Sequence, residues 1–126
     1  MTDAVFPDIE IYVKQVDLPS ILDWLARHFQ ILDRSSGHHT HDIVLSSGKA
    51  SIHCLIVEQA AKGNFTSIWF KSDQTPWTTD QDCARDAADY LGCEVRCSAG
   101  SWQEDNDETG GWLRVTKQGQ SRINWL

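Results

Sequence analysis

TTDQDCARDAADYLGCEVRCS, Thr78 to Ser98, decides how the rest of the chain is read. Thr78 stands where an N-cap belongs, and Gln81 follows at capping-box spacing. Asp80 and Asp82 fall in the first turn, where the helix dipole favours negative charge. Cys83, Ala84, Ala87, Ala88 and Leu91 then recur at helical period and make one apolar stripe. The stripe is built of small residues, so the helix can lie close on a sheet. Gly92 is the expected terminator, and CEVRC switches to the alternation of a strand.

The same plan stands earlier in the chain. Ile21, Leu22, Leu25, Ala26 and Phe29 repeat the stripe, with Asp17 as N-cap and Pro19 in the first turn. IYVK (Ile11–Lys14) resembles IWFK (Ile68–Lys71), and GKASIHCL (Gly48–Leu55) resembles GQSRINWL (Gly119–Leu126). The matches keep their order while loop lengths change, which is the pattern of an old duplication. The expectation is βαβββ twice, with module one at about 9–58 and module two at about 65–126. The first has strands near Ile9–Lys14, Ile31–Ser35, Asp42–Ser46 and Ala50–Glu58. The second has strands near Phe65–Lys71, Cys93–Ser98, Trp112–Thr116 and Ser121–Leu126. Each half places one helix on one face of an α+β sheet, and EQAAKGN carries the turn between halves.

Bulk properties narrow the function. The chain has 126 residues, 40% of them hydrophobic, with six tryptophans and a formal net charge of −7. That is one folded domain. Without a basic stripe it is not expected to bind nucleic acid. No apolar run approaches the roughly 18 residues of a membrane span, and MTDAVFPD lacks the features of a secretory signal, so the cytoplasm is the expected location. Cys54, Cys83, Cys93 and Cys97 contain no CxxC pair. Cys93 and Cys97 would lie about 13 Å apart on a strand at roughly 3.3 Å per residue, too far for a disulfide. Four free thiols are expected.

Strand parity separates two faces. Ile9, Ile11, Val13, Ile52, Cys54, Ile56, Ile68, Phe70, Ile123 and Trp125 form the set expected to face the helices. Glu10, Tyr12, Lys14, His53, Leu55, Val57, Phe65, Ser67, Trp69, Lys71, Arg122, Asn124 and Leu126 form the other. Aromatic walls with a few placed polar groups have the composition of a ligand cavity. A solvated face, or one buried against a second subunit, has the same alternation. HHTH (His38–His41) reads as a solvated loop, and His28 as a structural residue near a helix end. EDNDE, within the acidic loop 103–108, reads as a solubilising loop. Trp77 and Trp102 sit in loops, where they can pack on the core, form a lid or anchor an interface. No Ser-His-Asp or Cys-His constellation and no Gly-rich phosphate loop is legible.

Taken together, IYVKQVDLPSILDWLARHF and LRVTKQGQSRINWL resemble the opening and closing segments of the vicinal oxygen chelate superfamily. That superfamily includes glyoxalase I, extradiol dioxygenases and bleomycin-resistance proteins. The resemblance implies two tandem βαβββ modules with a curved mixed sheet around a shared trough, and by analogy a homodimer. Its four metal-ligand positions fall on Glu10, His53, Ser67 and Asn124. Ser67 and Asn124 are poor ligands for a divalent transition metal, so the metal site is degenerate, with Glu10 and His53 as the remaining ligand types. The expected function is small-molecule binding in a trough lined by Glu10, Tyr12, His53, Ser67, Trp69, Arg122 and Asn124. Arg122 or Lys14 would hold an anionic group while the aromatics stack on the ligand. Two alternatives stay open: a metal-dependent lyase, isomerase or dioxygenase using Glu10 and His53, and a protein-interaction module using the acidic loop 103–108.

Overall fold

The computed structural model describes residues 7–99 and 111–125. The acidic loop 103–108 and Trp102 lie outside them. The element order is β1 (Ile9–Lys14), α1 (Leu18–His28), β2 (Gln30–Ser36), β3 (Thr40–Ser46), β4 (Ser51–Ala61), β5 (Phe65–Phe70), α2 (Asp80–Leu91), β6 (Val95–Ser98), β7 (Trp112–Thr116) and β8 (Gly119–Ile123). The class is α+β, and the order of elements is βαβββ repeated.

The eight strands form one open sheet in the order β2-β3-β4-β5-β1-β6-β7-β8. Every pairing is antiparallel, so the expectation of a mixed sheet is corrected. The reason lies in β1. The crossover β5-α2-β6 carries the chain back to a strand parallel to β5, and β1 fills the gap between those two. Ile11 faces Ile68 across the β1–β5 ladder. The outer neighbours do not repeat, however: β5 continues to β4, whereas β1 continues to β6. Exchanging the halves would need β8 beside β1. No linker separates the halves either, because β4 and β5 form a hairpin with Ala61 opposite Phe65.

Local chemistry explains the helices. Asp17 caps α1 through the Ser20 N–H at 3.0 Å. The cap of α2 is Thr79, one residue later than expected, and it accepts from the Asp82 N–H at 3.2 Å. Gly92 closes α2 in the left-handed region with φ 66, where a Cβ is strained. Large side chains of α1 (Ile21, Trp24, Leu25) and small ones of α2 (Cys83, Ala84, Ala87, Ala88) enter one core with Ile9, Ile11, Val13, Ile56, Ile68 and Phe70. All four cysteines are free, and only Cys93 is not fully buried.

The β2 edge is blunted. A register shift between Ile31 and Asp33 breaks the ladder, and the Asp33 carboxylate accepts the Arg34 N–H at 3.0 Å. A bulge and a side-chain cap both discourage pairing with another chain. Among the described residues, no helix is long and apolar enough to cross a membrane.

Candidate functional site

The helices cover one face of the sheet; the other carries Tyr12, Phe65, Ser67, Trp69, Arg96, Trp112 and Arg114. Register fixes this. Tyr12 is opposite Ser67 on β5 and Arg96 on β6, and Arg96 is opposite Arg114 on β7. Directly opposed residues share a face, so one row crosses four strands.

Glu94 stands just before β6 and organises the row. Its Oε2 accepts from Arg96 Nε at 2.7 Å, with Arg96 Nη2 also at 2.7 Å, and forms a longer ion pair with Arg114 Nε at 3.2 Å. Burial works to raise the Glu94 carboxyl. The Arg96 hydrogen bond and the charges of Arg96, Arg114 and Lys14 outweigh burial and hold it below its ordinary range. Three cations therefore gather around one carboxylate. Rings flank Arg96: its guanidinium lies 4.8 Å from the Phe65 centroid and 4.9 Å from that of Trp125. Trp125 in turn packs on Tyr12 at 5.1 Å and on Trp112 at 4.9 Å. Cation–π attraction and edge-to-face packing both favour this arrangement.

Tyr12 links this cluster to a second polar group. Burial first, then the charge and hydrogen bond of Glu10, raise its hydroxyl above the ordinary range. Glu10 also accepts from Ser67 Oγ at 3.1 Å. Its backbone N–H donates to Asp80 at 3.1 Å, filling a gap where β6 no longer reaches β1. Asp80 is 9% exposed. Desolvation pushes its carboxyl up to about 6 against that hydrogen bond, with Asp8 and Glu10 adding repulsion.

The residues expected to line a trough separate into three groups. Glu10, Tyr12, Ser67 and Trp69 are together on the open face, with Trp69 donating to Asp8 at 2.8 Å and Lys71 Nζ 4.5 Å from the Trp69 ring. His53 shares that face but is paired with Asp42 at 2.8 Å. It stands two strands from Glu10, roughly 10 Å across the sheet at strand spacing. Among the described residues, no three His, Cys, Asp or Glu side chains are grouped to hold a metal.

Arg122 and Asn124 belong elsewhere. Arg122 is opposite Leu113, a helix-side residue, and Asn124 follows the end of β8. Ile123 is opposite Trp112, and Trp125 packs on Tyr12. The parity expected for the closing strand is thus inverted. Apolar Ile123 and Trp125 look like helix-side residues because that side is apolar, but the open face is aromatic here too. The expected solvated loop also needs correction at His41. It sits in β3, is 9% exposed, and has Nδ1 2.8 Å from Ser36 Oγ. Its Nε2 is 3.3 Å from Glu58, close enough for an ion pair but misaligned for a hydrogen bond.

Glu94, Arg96, Arg114 and Trp112 escape the sequence reading as site residues. The alternation in EVRCS and WLRVT contains the signal, since Val95, Cys97, Leu113 and Val115 are the apolar partners that put these residues on the other face. Compared with protein-family models, with curated proteins and with solved structures, the chain matches none.

Proposed function

We propose that the protein binds a small planar organic anion on the open face of its sheet. The carrying observation is that Lys14, Arg96 and Arg114 converge on the single carboxylate of Glu94 beside Tyr12, Trp112 and Trp125. One carboxylate neutralises one of three cations, and Arg96 and Lys14 lie against ring faces, in a chain of net charge −7. A planar anion satisfies both features: its charge meets Arg114, which is half exposed, and its ring stacks on the indoles. Arg114 and Lys14 take the role first expected of Arg122 or Lys14.

Small-molecule binding is also the class implied by the resemblance to the vicinal oxygen chelate superfamily. The repeated element order supports that duplication, whereas the strand adjacency does not repeat. The site's composition, not the family, therefore carries the proposal. A metal-assisted reaction through Glu10 and His53 would need the two brought together from separate hydrogen-bonded pairs.

Calorimetric titration of the full chain with 2-naphthoate and with neutral 2-naphthamide tests this. The anion should bind, the amide should bind several-fold more weakly, and Arg114→Ala should remove the difference. Equal affinities for the two probes, or an unchanged preference in the variant, would overturn the proposal.

A further inference from the structure

A second site lies on the helix side, away from the open face. A groove of about 640 Å³ opens between the end of α1, the outer face of α2 and the β7–β8 turn. This is within the range of small-molecule pockets. Its charged lining is Arg27, His28, Arg85, Asp86, Asp89 and Lys117.

Four of these six are already committed. Asp86 accepts from the indole N–H of Trp24 at 3.0 Å and of Trp77 at 3.1 Å, and from His28 Nε2 at 3.1 Å. Asp86 and His28 both line the groove. Arg27 lies over the Tyr90 ring at 4.8 Å and ties α1 to α2. Arg85 bonds Asp82 at 2.6 Å and Gln120 at 3.1 Å, tying α2 to β8. Among the described residues, Asp89 and Lys117 alone of the six have no ion pair, side-chain hydrogen bond or ring contact, Arg27 being held by the Tyr90 ring only. They stand on different elements, do not pair with each other, and are both exposed. The groove therefore keeps one charge of each sign without a side-chain contact, and the side chains of Gln118 and Gln120 also line it.

We infer that this groove binds a small zwitterion of the α-amino-acid type. Asp89 receives the ammonium group, Lys117 receives the carboxylate, and the glutamine amides meet a polar side chain. A simple anion or cation would satisfy one of the two groups and meet the other as a like charge. A zwitterion satisfies both, with hydrogen bonds to ionised partners.

Amide-resolved NMR titration of the isotopically labelled full chain tests the assignment with three probes. L-Glutamine carries both charges, N-acetyl-L-glutamine lacks the ammonium, and L-glutaminamide lacks the carboxylate. L-Glutamine should shift the amides of residues 116–120 saturably, and each blocked probe should bind about ten-fold more weakly, the equivalent of one lost charge contact. Asp89→Asn should equalise L-glutamine with its N-acetyl form, and Lys117→Ala should equalise it with glutaminamide. Both positions are exposed, so neither variant threatens folding. No saturable shift with L-glutamine, equal binding of all three probes, or a preference that survives both substitutions would overturn the inference.

Discussion

Two carboxylates, one on each side of the sheet, are each surrounded by aromatic rings, and they reach opposite ends. Asp86, on the helix side, meets ring N–H donors: two indoles and an imidazole. The donors come from the middle of α1, from the end of α1 and from the loop leading into α2, so one side chain clamps three segments. Trp24 and Trp77 stack at 5.4 Å and seal it. Glu94, on the open face, meets guanidinium groups instead, and more of them than its charge can neutralise. A carboxylate whose donors match its oxygens is finished and holds the fold. One with surplus cations beside half-buried rings leaves something for a ligand to complete.

The largest effect should come from breaking the finished cluster. Asp86→Ala leaves the buried indole N–H groups of Trp24 and Trp77 without an acceptor, which should cost about 3 kcal/mol in urea denaturation, at roughly 1–3 kcal/mol per orphaned donor. For Asp86 itself, burial raises the carboxyl while hydrogen bonds from Trp24, Trp77 and His28 and the charge of His28 lower it, and the lowering wins. A depressed folded value means that its contribution is present above the unfolded carboxyl range and is lost as pH falls through the folded one. A variant as stable as the parent would remove the distinction between the two clusters.

Glu94→Gln comes next. It leaves Arg96, 18% exposed at its side chain, between Phe65 and Trp125 without its counter-charge. About 2 kcal/mol should be lost, less than for a fully buried unpaired charge. Anion affinity should rise at the same time, because the surplus positive charge grows by one. Stability and affinity moving in opposite directions would mark Glu94 as part of a binding surface. Both falling together would make it a second structural clamp.

The sequence makes parts of this legible and hides others. β1, the α1 cap and the small-residue stripe of α2 are readable because local rules determine them: alternation, a carboxylate three residues before a free N–H, and helical period. The pairing of β1 with both β5 and β6 is not, since adjacency of distant strands leaves no local mark. Glu10, Tyr12 and Ser67 fall on the right face because Ile9, Ile11, Ile68 and Phe70 alternate with them. Arg122 is misread because QSRINWL alternates equally well for either face, and only an aromatic open face distinguishes the two. Asp86 is invisible: one aspartate among several on α2, it gains meaning from residues far away on α1.

Asp80 sharpens the comparison as a third carboxylate with a single neutral donor. One amide hydrogen bond does not offset its burial, and its carboxyl rises to about 6. A raised carboxyl binds its proton more tightly in the folded state, so stability increases as pH falls from about 7 toward 4. Below that, the lowered carboxyls of Asp86 and Glu94 act in the reverse sense. Asp80→Asn keeps an oxygen for the Glu10 N–H and removes the ionisable group. It should gain about 1–2 kcal/mol at pH 7.5, since each tenfold tightening of proton binding is worth roughly 1.4 kcal/mol and some helix-dipole stabilisation is lost. The rise in stability on mild acidification should vanish. Denaturation midpoints across pH 4–8 would show it, and an unchanged pH profile would mean that Asp80 is well solvated.

The smallest effect on stability belongs to Arg114→Ala, and there the contrast between the clusters is most exposed. Arg114 is 46% exposed, and its 3.2 Å contact with Glu94 is longer than either made by Arg96. A partly exposed third partner on an already paired carboxylate should contribute less than about 0.5 kcal/mol to folding. Its charge is nonetheless more accessible than that of Arg96, which is held between rings. The Arg114→Ala chain should therefore melt like the parent while losing several-fold in affinity for 2-naphthoate, and the loss should diminish at high salt as the Debye length contracts. Loss of stability without loss of affinity would assign Arg114 to the framework. The open face would then be a second closed cluster, built from guanidinium groups in place of indoles.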